Sequence, residues 1–363
     1  MIFHAKFLFR LFVISAAMIG ITSCDDNEPA VVQYDPTPYT IEIGTFPPPD
    51  FHGNTPTQTG VQLGRMWFYE KALSKDGTQS CADCHLQQDM FSDIRKFSIG
   101  VEGLPGKRQA MAVFNIAWHP NGMFWDGRAP SPRDQALRPI QDPLEMNETL
   151  PNAILKLQAK QNYKDQFIRA FGDDTITAER IGLAIEQFEF TLVSNHSRYD
   201  QWQQGAIVLT PSEEHGRQLF FTERDPGTGQ QGGECFHCHA GFNFTNNEYM
   251  NNGLDEDAAF TDLGRFMVTH VPQDKARFKV PSLRNIALTP PYMHDGRFAT
   301  LEEVIEHYNT GVKNSSTVDE VLFRNLEPGG LQLSAQDKAD LVAFLMTLTD
   351  EAFKTDSRYA SPF

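Results

Sequence analysis

Two five-residue stretches constrain this chain more than anything else in it: Cys81-Ala82-Asp83-Cys84-His85 and Cys235-Phe236-His237-Cys238-His239. Each reads C-x-x-C-H. Two thiols at that spacing, followed at once by an imidazole, match the chemistry of covalent haem attachment. The thiols add across the vinyl groups and the histidine ligates the iron from one side. A single copy in a cytosolic protein would also fit half a zinc site or a redox dithiol. Two copies, with no other cysteine pair, predict two covalently bound c-type haems. The rest of the chain must then wall both cofactors and decide what stands on the far side of each iron.

The chain has 363 residues, five of them cysteines, and the fifth is Cys24. No disulfide framework is left over. The length suggests about two domains. The formal net charge of −16 argues against a nucleic-acid partner, because binding phosphates needs a basic face. It suits a basic protein partner.

Lys6 and Arg10 precede an apolar run from Leu11 to Ser23. That run is shorter than the roughly 20 residues a membrane-spanning helix needs, so residues 1–23 read as an export signal. It ends Ile21-Thr22-Ser23-Cys24, which resembles a lipobox with Cys24 as the lipidated residue. The other reading is an ordinary signal peptide with a chance cysteine. Residues 24–50, acidic and then proline-rich, read as an extended tether. The expected location is the cell envelope, periplasmic or surface-facing, with membrane contact through the lipid anchor only.

Beyond the tether the chain is self-similar. Gly64-Arg65 and Phe68-Tyr69 lead into the first motif, and Gly216-Arg217 and Phe220-Phe221 lead into the second. Asn115-Ile116-Ala117 precedes Trp125-Asp126-Gly127-Arg128, and Asn285-Ile286-Ala287 precedes His294-Asp295-Gly296-Arg297. This predicts two related haem domains, residues 51–205 and 206–363, with an internal duplication behind them. Ile181, Ile185, Phe188 and Leu192 recur at helical spacing, Ile154 and Leu157 make a shorter stripe, and Ser334 caps an apolar helix running to Leu348. Strand signals are few. The expected fold is mostly α, two cytochrome c-like domains with long loops around the haems.

The repeat also sets the two far sides against each other. Counting 11 residues on from Arg297 reaches Tyr308, and counting 11 on from Arg128 reaches Pro139. A tyrosine phenolate can ligate ferric iron and a proline cannot. The first haem, attached at Cys81 and Cys84 with His85, is therefore expected to have an open face. The second, attached at Cys235 and Cys238 with His239, is expected to be six-coordinate. Glu145 follows Pro139 closely and could move a proton at an open iron, or it could be a solvated loop acid. Trp125 could carry electrons between the haems or be a core aromatic. Gln135 could donate into the pocket or face solvent.

These residues give the chain its resemblance to the bacterial di-haem cytochrome c peroxidases and the MauG-type di-haem enzymes. The matching stretches are Phe124 to Arg128, Gln135 through Pro139-Ile140 to Glu145-Met146, and Val280 to Asn285 through Pro291 to Gly296. The resemblance implies an N-terminal haem that reduces hydrogen peroxide and a C-terminal haem fed by a small donor of cytochrome c or cupredoxin type. It makes Glu145 and Gln135 lining residues of the peroxide pocket, Trp125 the residue between haems, and His294 a partner of a haem propionate. It implies a calcium ion held by the side chain of Gln109 and the carbonyls of Thr289 and Pro291. The family usually has asparagine where Gln109 stands. A homodimer is common among such relatives.

Two departures from the peroxidase pattern stand out. Val101 occupies the position where typical peroxidases carry a histidine that caps the first iron. Tyr308 stands where they carry methionine, which is the MauG-type choice. Met293 and His307 are the competing ligands for the second iron, and His119 is the residue that could swing over the first. Three functions follow from these readings: a peroxidase, an oxidase acting on a partner protein, and a non-catalytic electron carrier with ligands on both irons.

Overall fold

The computed structural model describes residues 1–2, 31–327 and 329–363. The export signal, the lipobox and Cys24 lie outside the described residues. Among the described residues no helix is long and apolar enough to cross a membrane. Residues 33–363 form one packed unit.

The first half is built on helix α1 (Gln58–Phe68), followed after the first motif by α2 (Pro132–Gln141), α3 (Leu150–Gln158), α4 (Gln161–Phe171) and α5 (Ala178–Thr191). The starts are chemically marked. Thr57, Ser131, Thr149 and Thr177 each accept a backbone N–H from the first turn of the helix they precede. The stripe on α5 faces inward as its spacing predicts, with Ile181, Ile185 and Phe188 fully buried. They join Leu63, Trp67, Phe68, Leu157 and Phe167 in the core between these helices.

A short helix α6 (Arg198–Gln203) leads to the second half. There α7 (Pro211–Phe220), α9 (Leu301–Glu306), α10 (Glu320–Leu326) and α11 (Ala335–Met346) surround the second motif, and a one-turn α8 (Phe266–Thr269) lies between α7 and α9 in the chain. The Ser334 cap forms, with Asp337 closing the reciprocal bond. Among the described residues the sheet content is one antiparallel pair, β1 (Tyr249–Met250) with β2 (Phe278–Lys279), which sets Tyr249 opposite Lys279.

The repeated Gly-Arg pairs have a packing reason. A methyl group on Gly64 would collide with the Ala184 carbonyl, so α1 and α5 approach until their backbones nearly touch. A methyl on Gly216 would collide in the same way with the Asp340 carbonyl, which lets α7 lie equally close to α11. Each motif follows the C-terminus of one such close-packed helix.

Two segments tie the halves together. Residues 350–360 run back to the first half, where Phe353 and Tyr359 pack on Phe91. Arg65 donates to the Ala360 carbonyl (2.6 Å) and the Tyr69 hydroxyl to the Tyr359 carbonyl (2.8 Å). The stretch read from sequence as a tether is folded from about residue 35 onward. Asp35 N–H bonds to the Arg169 carbonyl, and Phe46 is 5% exposed with its ring against Phe242 and Trp118. Proline content suggested an extended chain, and Phe46 among the prolines anchors it to the folded unit while most of its other residues stay at least partly exposed.

Candidate functional site

Both motifs adopt the same local turn. His85 N–H donates to the Cys81 carbonyl and His239 N–H to the Cys235 carbonyl, each at 2.9 Å. The imidazoles are then oriented alike. His85 Nδ1 lies 2.9 Å from the Phe91 carbonyl and His239 Nδ1 3.1 Å from the Phe244 carbonyl. A carbonyl only accepts, so Nδ1 carries the proton in both rings and Nε2 keeps a free lone pair. Burial lowers the pKa of both rings, that of His239 to about 4, so they stay neutral. The four thiols are unpaired, and burial pushes Cys235 up to about 12 and Cys238 to about 11. Neutral imidazoles with an outward lone pair, each oriented by a backbone carbonyl on its other nitrogen and standing beside two protonated thiols, are the donor set a c-type haem needs.

Around the first motif, α2 and the turn after it bring three predicted residues together. Gln135 and Pro139 lie one turn apart on α2, so they share a face. Pro139 has no N–H to donate to the Gln135 carbonyl. The chain then doubles back, with Met146 N–H on the Pro139 carbonyl (3.1 Å) and Glu148 N–H on the Ile140 carbonyl (2.7 Å). This carries Glu145 against the loop after the first motif. Val101 N–H donates to the Glu145 carbonyl (2.8 Å), and Gly100 is pressed so closely on Leu144 that a side chain there would collide with its carbonyl. The same loop is tied to the motif by Gln79, whose amide donates to the Ile99 carbonyl (2.9 Å) and approaches Cys84 Sγ (3.4 Å).

The Glu145 carboxylate is half-buried and takes no hydrogen bond among the described residues. Burial, with Asp142 nearby, raises its pKa to about 7, against a smaller opposing effect from Arg128. Its charge is felt in turn at Cys81 and Cys84. A carboxyl group poised near neutrality beside a haem-attachment motif can both take and give a proton at physiological pH.

The second motif opens on a cavity of about 370 Å³ lined by Cys235, Cys238 and His239. Tyr308 and Met293 both reach it, and both converge on one amide. Asn252 Nδ2 lies 3.4 Å from Tyr308 Oη and 3.2 Å from Met293 Sδ. Tyr308 sits in a π-helical turn (His307–Gly311) that widens the end of α9, a distortion common at functional sites. Burial raises its pKa to about 12. His307, one residue earlier, is committed elsewhere: its Nε2 bonds to the Asn252 carbonyl at 2.9 Å.

Between the halves, Trp125 is 8% exposed. Its indole N–H donates to the Gln109 carbonyl (2.8 Å), and its own carbonyl accepts from Lys279 N–H (2.7 Å). Gln109 N–H donates to the His294 carbonyl (2.8 Å), so one residue joins Trp125 to His294. The His294 ring lies flat on Phe278, centroids 3.6 Å apart, and burial drives its pKa to about 4. Arg108 clamps the same region by bridging Asp126 (2.6 Å) and Asp262 (2.7 Å).

Residues 58–207 match the model of a family described as di-haem cytochrome c peroxidase. The methylamine utilization protein MauG of Methylophilus methylotrophus is 32% identical over 352 residues, 96% of this chain and 97% of that one. The chain belongs to the di-haem cytochrome c peroxidase family. The cytochrome c551 peroxidase of Nitrosomonas europaea is 35% identical over 298 residues, 80% of each chain. A solved MauG-like protein associated with microbial copper homeostasis superposes with a TM-score of 0.80 at 33% identity, covering 89% of this chain and 99% of that one. Membership carries oxidoreductase chemistry and two c-type haems. Relatives of similar identity are named both MauG and peroxidase, so the choice of activity falls to the site.

As a member of this di-haem family, the chain groups the sequence-predicted residues in two places. Gln135, Pro139 and Glu145 gather by the first motif. Tyr308, Met293, Trp125, His294, Gln109, Thr289 and Pro291 all line the cavity of the second. His119, considered from sequence as a cap for the first iron, lines that second cavity instead, with its Nε2 3.5 Å from Asn243 Nδ2. The Gln109 amide donates to Ser92 Oγ (3.3 Å) and the Asp93 carbonyl (3.1 Å). Sequence reasoning missed Asn252, which has no motif around it, and Lys279. A lysine between Phe278 and Val280-Pro281 was the available signal for the latter.

Proposed function

We propose that this chain is an exported di-haem peroxidase that reduces hydrogen peroxide to water with electrons from a small cytochrome c-like or cupredoxin-like donor. The observation that carries this reading is Glu145: half-buried, unpartnered, with a pKa near 7, and held by Val101 against the loop of the first motif. Cys81, Cys84 and His85 would hold the haem that supplies the peroxide-binding iron. Glu145 takes the proton from one peroxide oxygen and delivers it to the other, which leaves as water. Gln135 and Pro139 wall the same pocket, and Pro139 keeps that wall free of a ligand. Cys235, Cys238 and His239 would hold the electron-receiving haem, with Tyr308 as its far ligand and Met293 as the competitor. Trp125 connects the two sites.

The same reading takes the chain as a duplicated haem unit, halves 51–205 and 206–363, anchored through Cys24 at the cell envelope. A calcium ion at Gln109, Thr289 and Pro291 requires the Gln109 amide to turn its oxygen inward. Replacing Glu145 by Gln tests the core of the proposal. Peroxide-dependent oxidation of reduced cytochrome c should fall by about 10²–10⁴-fold while haem content stays at two per chain. Near-normal turnover would remove Glu145 from the mechanism.

A second reading is favoured by Tyr308, whose hydroxyl and not only the Met293 sulfur is within reach of Asn252. Phenolate ligation suits an oxidase that withdraws electrons from a partner protein. Failure to oxidise reduced cytochrome c at a useful rate, with a peroxide-reactive first haem, would select this alternative.

A further inference from the structure

Lys279 is 2% exposed, and no carboxylate lies within 4 Å of its ammonium among the described residues. Its one hydrogen bond is long, 3.5 Å to the Asn247 carbonyl, and its amine otherwise sits 5.2 Å from the Tyr249 ring. An ammonium has three donors, and a buried one without an anion is costly. The side chain has little freedom to escape. Lys279 belongs to β2, its N–H is bonded to the Trp125 carbonyl, and Tyr249 faces it across the sheet pair.

Its surroundings make the missing anion more conspicuous. Arg265 stacks on the same Tyr249 ring at 3.8 Å, adding a second positive charge. Burial and that charge lower the Lys279 pKa to about 8 against a smaller opposing effect from Glu248, and Lys279 in turn helps hold His119 near 3. Both residues line the cavity of Cys235, Cys238 and His239. The other permanent cation on that cavity, Arg284, is already satisfied by a bidentate pair with Asp200 at 2.8 and 2.9 Å. His294 is neutral and pinned on Phe278. Among the described residues lining the cavity, Lys279 is therefore the permanent cation with no carboxylate in direct contact, and Glu248 offsets its charge only from a distance.

A haem attached through its vinyl groups still carries two carboxylates, on the edge away from the thioethers. We infer that Lys279 is the anchoring cation for a carboxylate of the haem held by Cys235, Cys238 and His239. This rests on the di-haem reading proposed above and assigns to Lys279 a role in holding and tuning that cofactor. A fixed positive charge beside a haem carboxylate favours the reduced iron, so Lys279 raises the potential of the second haem relative to the first.

The test is a spectroelectrochemical titration of the full holoprotein beside Lys279→Gln and Lys279→Arg. The expected result is a second-haem potential that moves lower in Lys279→Gln and is restored in Lys279→Arg, with the first-haem potential unmoved. Loss of the second haem in Lys279→Gln but not in Lys279→Arg gives the same answer. An unshifted potential in Lys279→Gln, or loss of the second haem in both variants, overturns the assignment. Turnover is assayed separately: a protein that fails to oxidise cytochrome c yet shows the potential shift refutes the peroxidase reading and leaves Lys279 in place.

Discussion

At the residue scale, two carboxyl groups near the first motif, one half-buried and one fully buried, make opposite kinds of prediction. Glu145 acts as a base only when ionised, and its pKa stands at about 7. The rate constant kcat/KM for peroxide should therefore rise with pH up to about 7 and level above it. That limb should vanish in Glu145→Gln. Glu189, on α5, is 3% exposed, and its Oε2 has no hydrogen-bond partner. Burial, helped by Glu186, lifts its pKa from 4.5 to about 8. The folded protein holds this proton up to about pH 8, whereas the unfolded chain releases it near 4.5. Between those values the unfolded state binds fewer protons, so stability contributed here falls as pH rises. Glu189→Gln should leave stability unchanged at pH 4 and raise it by about 4 kcal/mol at pH 8. Thermal melts at the two pH values check this, and an equal effect at both would contradict it.

At the element scale, the helices were legible and the loops were not. The α5 stripe of Ile181, Ile185 and Phe188 and the Ser334 cap declare themselves through helical periodicity and capping chemistry, which are local. The Gly-Arg repeat was legible as a repeat, but its reason is the contact of Gly64 with Ala184, and no local pattern encodes a partner 120 residues away. Close packing there predicts a cost: Gly64→Ala should destabilise the protein by about 3 kcal/mol, read from denaturant unfolding, because the α1 and α5 backbones must separate. A cost below about 0.5 kcal/mol would mean that the helices part freely. The Tyr308 position could be counted from Arg297, yet the π-turn that presents it could not.

At the scale of the whole molecule, the two motifs announced the cofactors, and the asymmetry of Pro139 and Tyr308 is the basis for proposing different roles for them. What stayed hidden was how the halves are joined. Residues 350–360 return to the first half, Phe46 closes on Phe242 and Trp118, and Arg108 bridges Asp126 and Asp262. Each link pairs residues far apart in sequence, so spacing carries no trace of it. The same junction holds Trp125, Gln109, His294 and Lys279, so the residue proposed to connect the two haem sites, Trp125, lies on the seam between the halves. On the proposed reading the first site is open at rest while the second is closed by a protein ligand. The low-temperature EPR spectrum of the as-isolated ferric protein tests it directly. One high-spin and one low-spin signal are predicted; two low-spin signals would contradict the claim.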